Sequence, residues 1–241
     1  MIELKGVNKS FQQRRILKNI NLEITKGETL AIIGASGSGK STLLRLIIGL
    51  LKPDDGEIWI KNKEISNLPE KELNEVRLNM GMVFQYSALF DSMTIGDNVA
   101  FGLREHTTLS EAEIKEIVQE NLRMVDLAGF ENMMPNELSG GMKKRVSLAR
   151  AIAFKPDILL YDEPSAGLDP IMSAKIDELI YHMQQKLGVT SIVVTHHMNS
   201  AFAIADRIAM IHEGEIIAIG DVEMIQNLKN PIVQNFIHGS K

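Results

Sequence analysis

The chain alternates between short apolar runs and longer segments whose apolar residues recur at helical spacing. Within residues 1–33, three short stretches rich in Ile, Val and Leu are separated by the polar turns QQRR and KGE, which predicts three strands. Two later runs, DILLYDE (157–163) and TSIVVTHH (190–197), are almost continuously apolar. Runs of this kind suit strands that are buried on both faces, so they indicate parallel strands covered by helices.

Helical spacing dominates between these runs. SGKSTLLRLIIGL (38–50) predicts one helix, and MSAKIDELIYHMQQKL (172–187) predicts another between the two buried strands. Residues 69–155 are predicted to be largely helical. One helix there follows Ser110, and Glu113 three residues later completes the pattern of a capping box. The overall pattern is that of an α/β core with a helical insertion.

The remaining segments complete a single predicted domain over residues 1–241. A turn followed by a strand is predicted over 52–65, a hairpin around HEGE over 207–221, and a helix over VEMIQNLK after it. The predicted parts of the domain are an α/β and β core at about 1–85 and 156–225, a helical part at about 86–155, and a short tail at about 226–241.

Composition narrows the function classes. The chain has 241 residues, 44% hydrophobic and 24% charged, which is typical of a globular protein. It contains no cysteine, which excludes disulfides, thiolate nucleophiles and Cys-based zinc sites. No run approaches the ~20 apolar residues of a membrane span, and no signal pattern opens the chain, so we expect a cytoplasmic protein. The net charge of −5, with interspersed charges, argues against coating nucleic acid.

A glycine-rich loop carries the first chemical signal. GASGSGKS (34–41) lies between an apolar strand and an apolar helix and fits G-x-x-x-x-G-K-[ST] at every fixed position. Its glycines let backbone N–H groups surround a phosphate chain, and the helix adds the positive end of its dipole. Lys40 is expected to reach the β- and γ-phosphates, and Ser41 to place its hydroxyl on Mg²⁺. The predicted ATP contacts in this segment are Gly34, Ala35, Ser36, Gly37, Ser38, Gly39, Lys40, Ser41 and Thr42.

Two acidic residues at the end of a buried strand extend this site. Asp162 and Glu163 lie at the carboxyl end of ILLYDEP, where ligands bind in open parallel sheets. Asp162 is predicted to hold Mg²⁺, directly or through water, and Glu163 to polarise the attacking water. A phosphate loop alone is compatible with small-molecule kinases, GTPases and motor-like ATPases. The chain lacks an N-K-x-D stretch for guanine, which argues against a GTPase.

Several further motifs follow in a fixed order. They are VFQYSALF (83–90, the glutamine loop), LSGGMKKR (138–145), SAGLDP (165–170) and VVTH (193–196). With the phosphate loop and the Asp-Glu strand, they give a chain that resembles the nucleotide-binding subunit of ABC transporters over roughly residues 2–225. The resemblance implies a P-loop ATPase core with an N-terminal antiparallel β subdomain and an inserted α-helical subdomain.

The resemblance also implies a role for the Ser-Gly-Gly signature. In that family two subunits pack head to tail, and the signature of one contacts the γ-phosphate bound to the other. Ser139, Gly140 and Gly141 are therefore expected to contact the ATP of a partner copy, through exposed N–H groups and a hydroxyl. The cations that follow, Lys143, Lys144 and Arg145, are interpreted as a solvated helical face, since three cations do not make a nucleic-acid footprint.

Other site residues are assigned by the same resemblance. Gln85 is expected to contact ATP and Mg²⁺ and to sense the membrane partner, and Asp169 to lie in a loop that crosses the dimer interface. His196 is expected to contact the γ-phosphate and help hold the attacking water, because it directly follows the apolar run; His197 is expected to face solvent or a loop. Phe11 is expected to stack on adenine, although an aromatic between strands is often a core residue.

A narrower resemblance concerns what the ATPase powers. FQYSALFDSMTIGDNVAFGLREHTTLS (84–110) resembles the ATPase of MCE-type phospholipid transport systems, especially in LREHT. This implies a homodimer that binds ATP and Mg²⁺, a separate integral-membrane permease and an MCE-domain protein. The chain would then be peripheral on the cytoplasmic face of the inner membrane, touching it only through the permease, with no nucleic-acid partner.

Two alternatives stay open at this point. A polar amino-acid importer has a similar glutamine loop and would use a soluble substrate-binding partner. A non-transport ABC protein of the chromosome type would carry a long coiled coil between Lys40 and Asp162, but only about 122 residues separate them here. A ribosome-type protein would carry two cassettes, whereas this chain has one.

Overall fold

The computed structural model describes residues 1–239 and contains two β-sheets with helices packed around them. The first sheet is antiparallel, with strand order β2-β1-β4-β5. Its strands are β1 (Ile2–Phe11), β2 (Arg14–Ile24), β4 (Asp55–Ile60) and β5 (Lys63–Glu64). Alternating buried and exposed residues along β2 show that one face of this sheet packs on the core.

The second sheet has the order β10-β9-β3-β8-β7-β6 and is parallel except for its edge strand β10. Its strands are β3 (Thr29–Ile33), β6 (Met80–Val83), β7 (Ile158–Asp162), β8 (Thr190–Val194), β9 (Arg207–His212) and β10 (Glu215–Asp221). Every residue of β3, β6, β7 and β8 is buried, and for β7 and β8 this confirms the prediction of strands covered on both faces. The predicted hairpin over 207–221 is also confirmed.

The helices surround the second sheet. They are α1 (Lys40–Ile47), α2 (Glu70–Arg77), α3 (Ile95–His106), α4 (Glu111–Met124), α5 (Gly140–Ala151), α6 (Pro170–Leu187), α7 (Met198–Ile204), α8 (Val222–Asn227) and α9 (Pro231–His238). The predicted capping box is present at α4: Ser110 Oγ accepts from the Glu113 amide, and the Glu113 carboxylate accepts from the Ser110 amide at 2.7 Å. Within residues 1–239, no helix has both the length and the apolar character needed to cross a membrane.

Three hydrophobic clusters hold these elements. The first joins the antiparallel sheet to α1 and to one face of the parallel sheet, and the second joins α3–α6 to the other face of β7 and β8. The third packs α7, α8 and α9 against β3, β9 and β10. The division of the domain at residues 86 and 155 stays a prediction.

The structure differs from the sequence prediction at three places. β6 lies within the segment predicted to be largely helical, because four buried residues are too few for periodicity to separate strand from helix. Helix α7 begins at Met198, shortly after β8 ends at Val194, and was not predicted. The predicted tail includes α9, which is anchored by the buried side chain of Val233.

Candidate active site

The carboxyl ends of β3, β8 and β7 are neighbours in the sheet, and their following residues meet at one edge. The glycine-rich loop follows β3, His196 lies just beyond β8, and Glu163 follows β7. A cleft of about 750 Å³ opens there. It is lined by Phe11, Arg14, Ile16, Ala35, Ser36, Gly37, Gly39, Lys40, Ser41, Thr42, Gln85, Glu163, His196 and Phe236.

The glycine-rich loop has a backbone that only glycine adopts comfortably. Gly39 has φ 108° and forms the N-terminal boundary of α1, and no side chain of residues 1–239 caps that helix end. Gly34 has φ 151°, and a Cβ there would lie 2.2 Å from the carbonyl oxygen of Ile211. The first N–H groups of α1 are thus free to bind an anion at the cleft.

Lys40 lies under this loop with its side chain buried. Its ammonium donates to the carbonyl oxygens of Gly34 at 2.8 Å and Ala35 at 3.1 Å. Burial lowers the pKa of Lys40 from its ordinary value, while the negative charges of Glu163 and Asp162 oppose that shift. The loop therefore holds a cation at its centre, where a phosphate chain would bind.

Ser41, which lines the cleft, forms a direct pair with the buried side chain of Asp162. Ser41 Oγ donates to Asp162 Oδ1 at 2.7 Å, and Gln85 lines the same cleft. Hydroxyl, carboxylate and amide oxygens are the hard ligands that Mg²⁺ prefers, and Mg²⁺ commonly needs only one or two of them beside substrate phosphates. This donor set fits a Mg²⁺ ion that is shared with bound phosphates.

Glu163 and His196 form the second polar pair. His196 Nδ1 lies 2.9 Å from Glu163 Oε1, and His196 is about half exposed to the cleft. The other carboxylate oxygen, Glu163 Oε2, is buried and has no hydrogen-bond partner within residues 1–239. A buried carboxylate oxygen without a partner is costly to maintain and is typical of a functional group that accepts from a ligand or water.

The two adjacent histidines line different cavities, although their ring centroids are only 4.1 Å apart. His196 lines the cleft, whereas His197 lines a different groove between α6 and α7, in agreement with its expected solvent or loop position. Phe11 is 45% exposed and lines the cleft beside Arg14 and Ile16, so it is not a core residue. An exposed ring at the cleft is available to stack on a base.

The signature residues lie outside the cleft of their own chain. Ser139 caps α5 by accepting from the Met142 amide, and Ser139 and Gly140 are exposed. A Cβ on Gly141 would lie 2.6 Å from Cε of Met172, so the starts of α5 and α6 are in close contact.

Asp169 caps the second of these helices. Its carboxylate accepts from the amides of Ile171 and Met172 at 3.0 Å each, at the start of α6. The signature and the Asp169 loop are therefore neighbours on one exposed surface, separate from the cleft.

Three cleft residues were missed by sequence reasoning. Arg14 and Ile16 come from β2, and Phe236 comes from α9 near the other end of the chain. No local pattern marks them, because only the fold brings α9 close to residues that lie more than 200 positions earlier.

The interpretation of Lys143, Lys144 and Arg145 as a solvated face is wrong for Lys144. That side chain is only 6% exposed, and its ammonium contacts the carbonyl oxygens of Gln85 and Glu163. Arg145 donates to the carbonyl of Val125 at 3.3 Å. Turned inward, Lys144 lies directly behind the site.

Comparison with known proteins gives one family. The family model described as "ABC transporter" matches residues 17–166. The chain is 44% identical over 239 residues to the intermembrane phospholipid transport system ATP-binding protein MlaF of Haemophilus influenzae, covering 99% of this chain and 90% of the relative. It is 42% identical to the probable ribonucleotide transport ATP-binding protein mkl of Mycobacterium leprae, covering all of this chain and 69% of the relative. It is 43% identical to the methionine import ATP-binding protein MetN of Clostridioides difficile, covering 93% of this chain and 70% of the relative.

A solved structure agrees with this likeness. The dimeric ATP-binding cassette MJ0796, in a post-hydrolysis state bound to ADP and Pi, is 37% identical and superposes with a TM-score of 0.86. The match covers 92% of this chain and 99% of that one. The fold class predicted from the sequence is thereby confirmed.

Proposed function

The chain belongs to the ABC transporter family as an ATP-hydrolysing subunit, and we propose that it powers phospholipid transport between membranes through a separate permease. One observation supports the assignment of ATP hydrolysis: the glycine-rich loop, the Ser41–Asp162 pair and the Glu163–His196 pair meet at one cleft. Each of these is a part that phosphoryl transfer to water requires.

ATP binding is assigned to the loop and to Phe11. The backbone of residues 34–42 and the open end of α1 would bind the phosphates, with Lys40 at the β- and γ-phosphates. The exposed ring of Phe11 would stack on adenine. Ser41, Asp162 and Gln85 would hold Mg²⁺, which neutralises negative charge on the phosphates.

Hydrolysis is assigned to Glu163 and His196. Glu163 Oε2 would accept a hydrogen bond from the attacking water and orient it toward the γ-phosphate. The contact between His196 and Oε1 fixes the carboxylate, and the exposed part of the imidazole is free to reach the γ-phosphate. Lys40 would stabilise the charge on the transferred phosphoryl group.

The complete site is proposed to need two copies. Ser139, Gly140 and Gly141 lie outside their own cleft and would cap the ATP of a partner copy, with Asp169 at the interface. The dimeric state of the MJ0796 neighbour supports this arrangement. ATP then joins the two copies, and release of phosphate lets them separate, which is the movement a permease could use.

An aromatic patch supports a membrane partner. Phe84, Tyr86, Phe90 and Phe101 are all exposed, and the rings of Phe90 and Phe101 are 4.9 Å apart. Clustered exposed aromatic side chains are typical of interaction sites. We assign the patch to the permease, so that this chain would touch the cytoplasmic face of the inner membrane only through that partner.

The proposed cargo follows the MlaF relative and the resemblance of residues 84–110 to MCE-type systems. Of the three relatives described above, MlaF is the one that this chain covers over the largest share of its length, 90%. The second candidate is import of a small polar solute, which the MetN relative favours at nearly equal identity. The mkl relative carries a third cargo name, ribonucleotides.

Co-purification distinguishes these cargoes. The tagged chain is isolated from membranes in mild detergent, its partners are identified by mass spectrometry, and lipids are extracted from the same sample. The phospholipid proposal predicts a permease, an MCE-domain protein and enriched phospholipid. A permease with a soluble solute-binding protein and no lipid enrichment would contradict the phospholipid proposal and support a small-solute importer. No membrane partner at all would contradict both transport proposals.

A further inference from the structure

We propose that Lys144 is a positioning residue that holds the glutamine loop and the backbone of Glu163 together. A displacement of that loop by a membrane partner would thereby move the Glu163 carboxylate and change the rate of hydrolysis. This inference rests on the proposed role of Glu163 in orienting water.

The placement of Lys144 carries the argument. Its side chain is buried in the first turns of α5, and its ammonium faces two backbone carbonyls, those of Gln85 and Glu163. A buried ammonium is costly unless its protons are used, so these two carbonyls are tied to it. Burial lowers the pKa of Lys144, and the charges of Glu163 and Asp162 oppose the shift, as expected for a cation close behind both carboxylates.

The backbone of Glu163 needs support from its surroundings. Glu163 has φ 50°, a left-handed conformation that costs free energy for a residue with a side chain. Its amide donates to the carbonyl of Val194 at 2.9 Å, and its own carbonyl faces Lys144. That carbonyl also accepts from the amide of Ala166 at 3.1 Å, so Lys144, at 3.5 Å, contributes one of three polar contacts that hold this backbone in the orientation that aims the carboxylate at the cleft.

The glutamine loop is held by the same helix at a second point. Arg150, near the end of α5, donates to the carbonyls of Ala88 at 2.6 Å and Ser87 at 2.8 Å. Between the two attachments, Tyr86 is 88% exposed. A partner that pushes on Tyr86 therefore pushes on α5 through both cations, and Lys144 passes that displacement to Glu163.

The test replaces Lys144 with Met, which keeps most of the side-chain volume and removes every donor. We expect kcat for ATP to fall about 10- to 100-fold, the loss associated with a catalytic group displaced by about 1 Å. The ATP dissociation constant should stay within about threefold, because Lys144 does not line the cleft. Lys144→Arg, which retains donors, should recover most of kcat. Lys143→Met, on the same helix but not buried, is the matched control.

A second readout separates positioning from general damage. In the detergent-solubilised complex with its permease, Lys144→Met should also lose the change in ATPase rate that the partner causes. If that variant does not fold, Lys144→Gln, whose shorter side chain cannot reach both carbonyls, replaces it with the same expected losses.

Three results would overturn the proposal. They are an unchanged kcat in the folded Met or Gln variant, equal losses in the Arg and Met variants, or a loss of ATP affinity that matches the loss of kcat. Glu163→Gln is measured in parallel. Full turnover in that variant would refute the role of Glu163 itself. Loss of turnover in Glu163→Gln together with normal turnover in the Lys144 variants would refute only the positioning role.

Discussion

Replacement of Lys40 by Met is the most direct perturbation of the nucleotide site. Met keeps the unbranched stem, so the buried space below the loop stays filled, but the ammonium disappears. In the structure this ammonium donates to the carbonyls of Gly34 and Ala35 and interacts with the negative charges of Glu163 and Asp162. The change therefore removes a cation from the centre of the phosphate site without opening a large cavity.

The structure sets the size of the expected effect. A lysine ammonium has three protons, and two of them are used by Gly34 and Ala35, which leaves one for a phosphate oxygen. A hydrogen bond to a charged group contributes about 1.5–3 kcal/mol. At about 1.4 kcal/mol for each factor of ten, the affinity for ATP should fall about 10- to 150-fold.

The assay is a titration with a fluorescent ATP analogue or by calorimetry, together with thermal unfolding to show that the variant is folded. Arg45→Met is the matched control, because Arg45 lies on the same helix, is exposed and does not line the cleft. Unchanged affinity in a folded Lys40→Met variant, or an equal loss in Arg45→Met, would refute the assignment of Lys40 to the phosphates.

Three further predictions concern other residues. Glu163→Gln should lower kcat about 10²- to 10⁴-fold, as expected for loss of a general base, while ATP affinity is retained; Glu178→Gln, an exposed change on α6, should leave turnover unchanged in the same steady-state assay. Phe11→Ala should weaken ATP binding by about 1–3 kcal/mol, the contribution of aromatic stacking on a base, without affecting the affinity for tripolyphosphate; equal losses for both ligands would place Phe11 elsewhere. Ser110→Ala should lower the free energy of unfolding in urea by about 0.5–2 kcal/mol through loss of the helix cap, with ATPase activity unchanged.

Local sequence was sufficient wherever a feature depends on neighbouring residues. The glycine-rich loop, the capping box at Ser110 and the hairpin over 207–221 were predicted at their observed places, because each needs particular residue types within a few positions. The continuous apolar runs correctly predicted β7 and β8, because a strand that is buried on both faces has apolar residues at nearly every position.

Features that depend on distant partners were not predicted. The contact of Lys144 with Gln85 spans 59 positions, so an inward lysine cannot be told from a solvated one by its local pattern. Phe236 enters the cleft only because α9 packs on β3, β9 and β10. β6 was predicted to be part of a helical segment, because Met-Gly-Met-Val is too short to show the alternating pattern of a strand.

The measurement that tests the account most directly is the mass in solution of the Glu163→Gln variant with and without ATP. If each cleft is completed by the signature of a second copy, slow hydrolysis should hold that interface closed, and saturating ATP should increase the dimer fraction strongly. Adding Ser139→Arg, which places a long side chain where the partner's ATP would bind, should return the chain to monomer. A chain that stays monomeric at saturating ATP, or a dimer that Ser139→Arg does not disturb, would contradict the two-copy site.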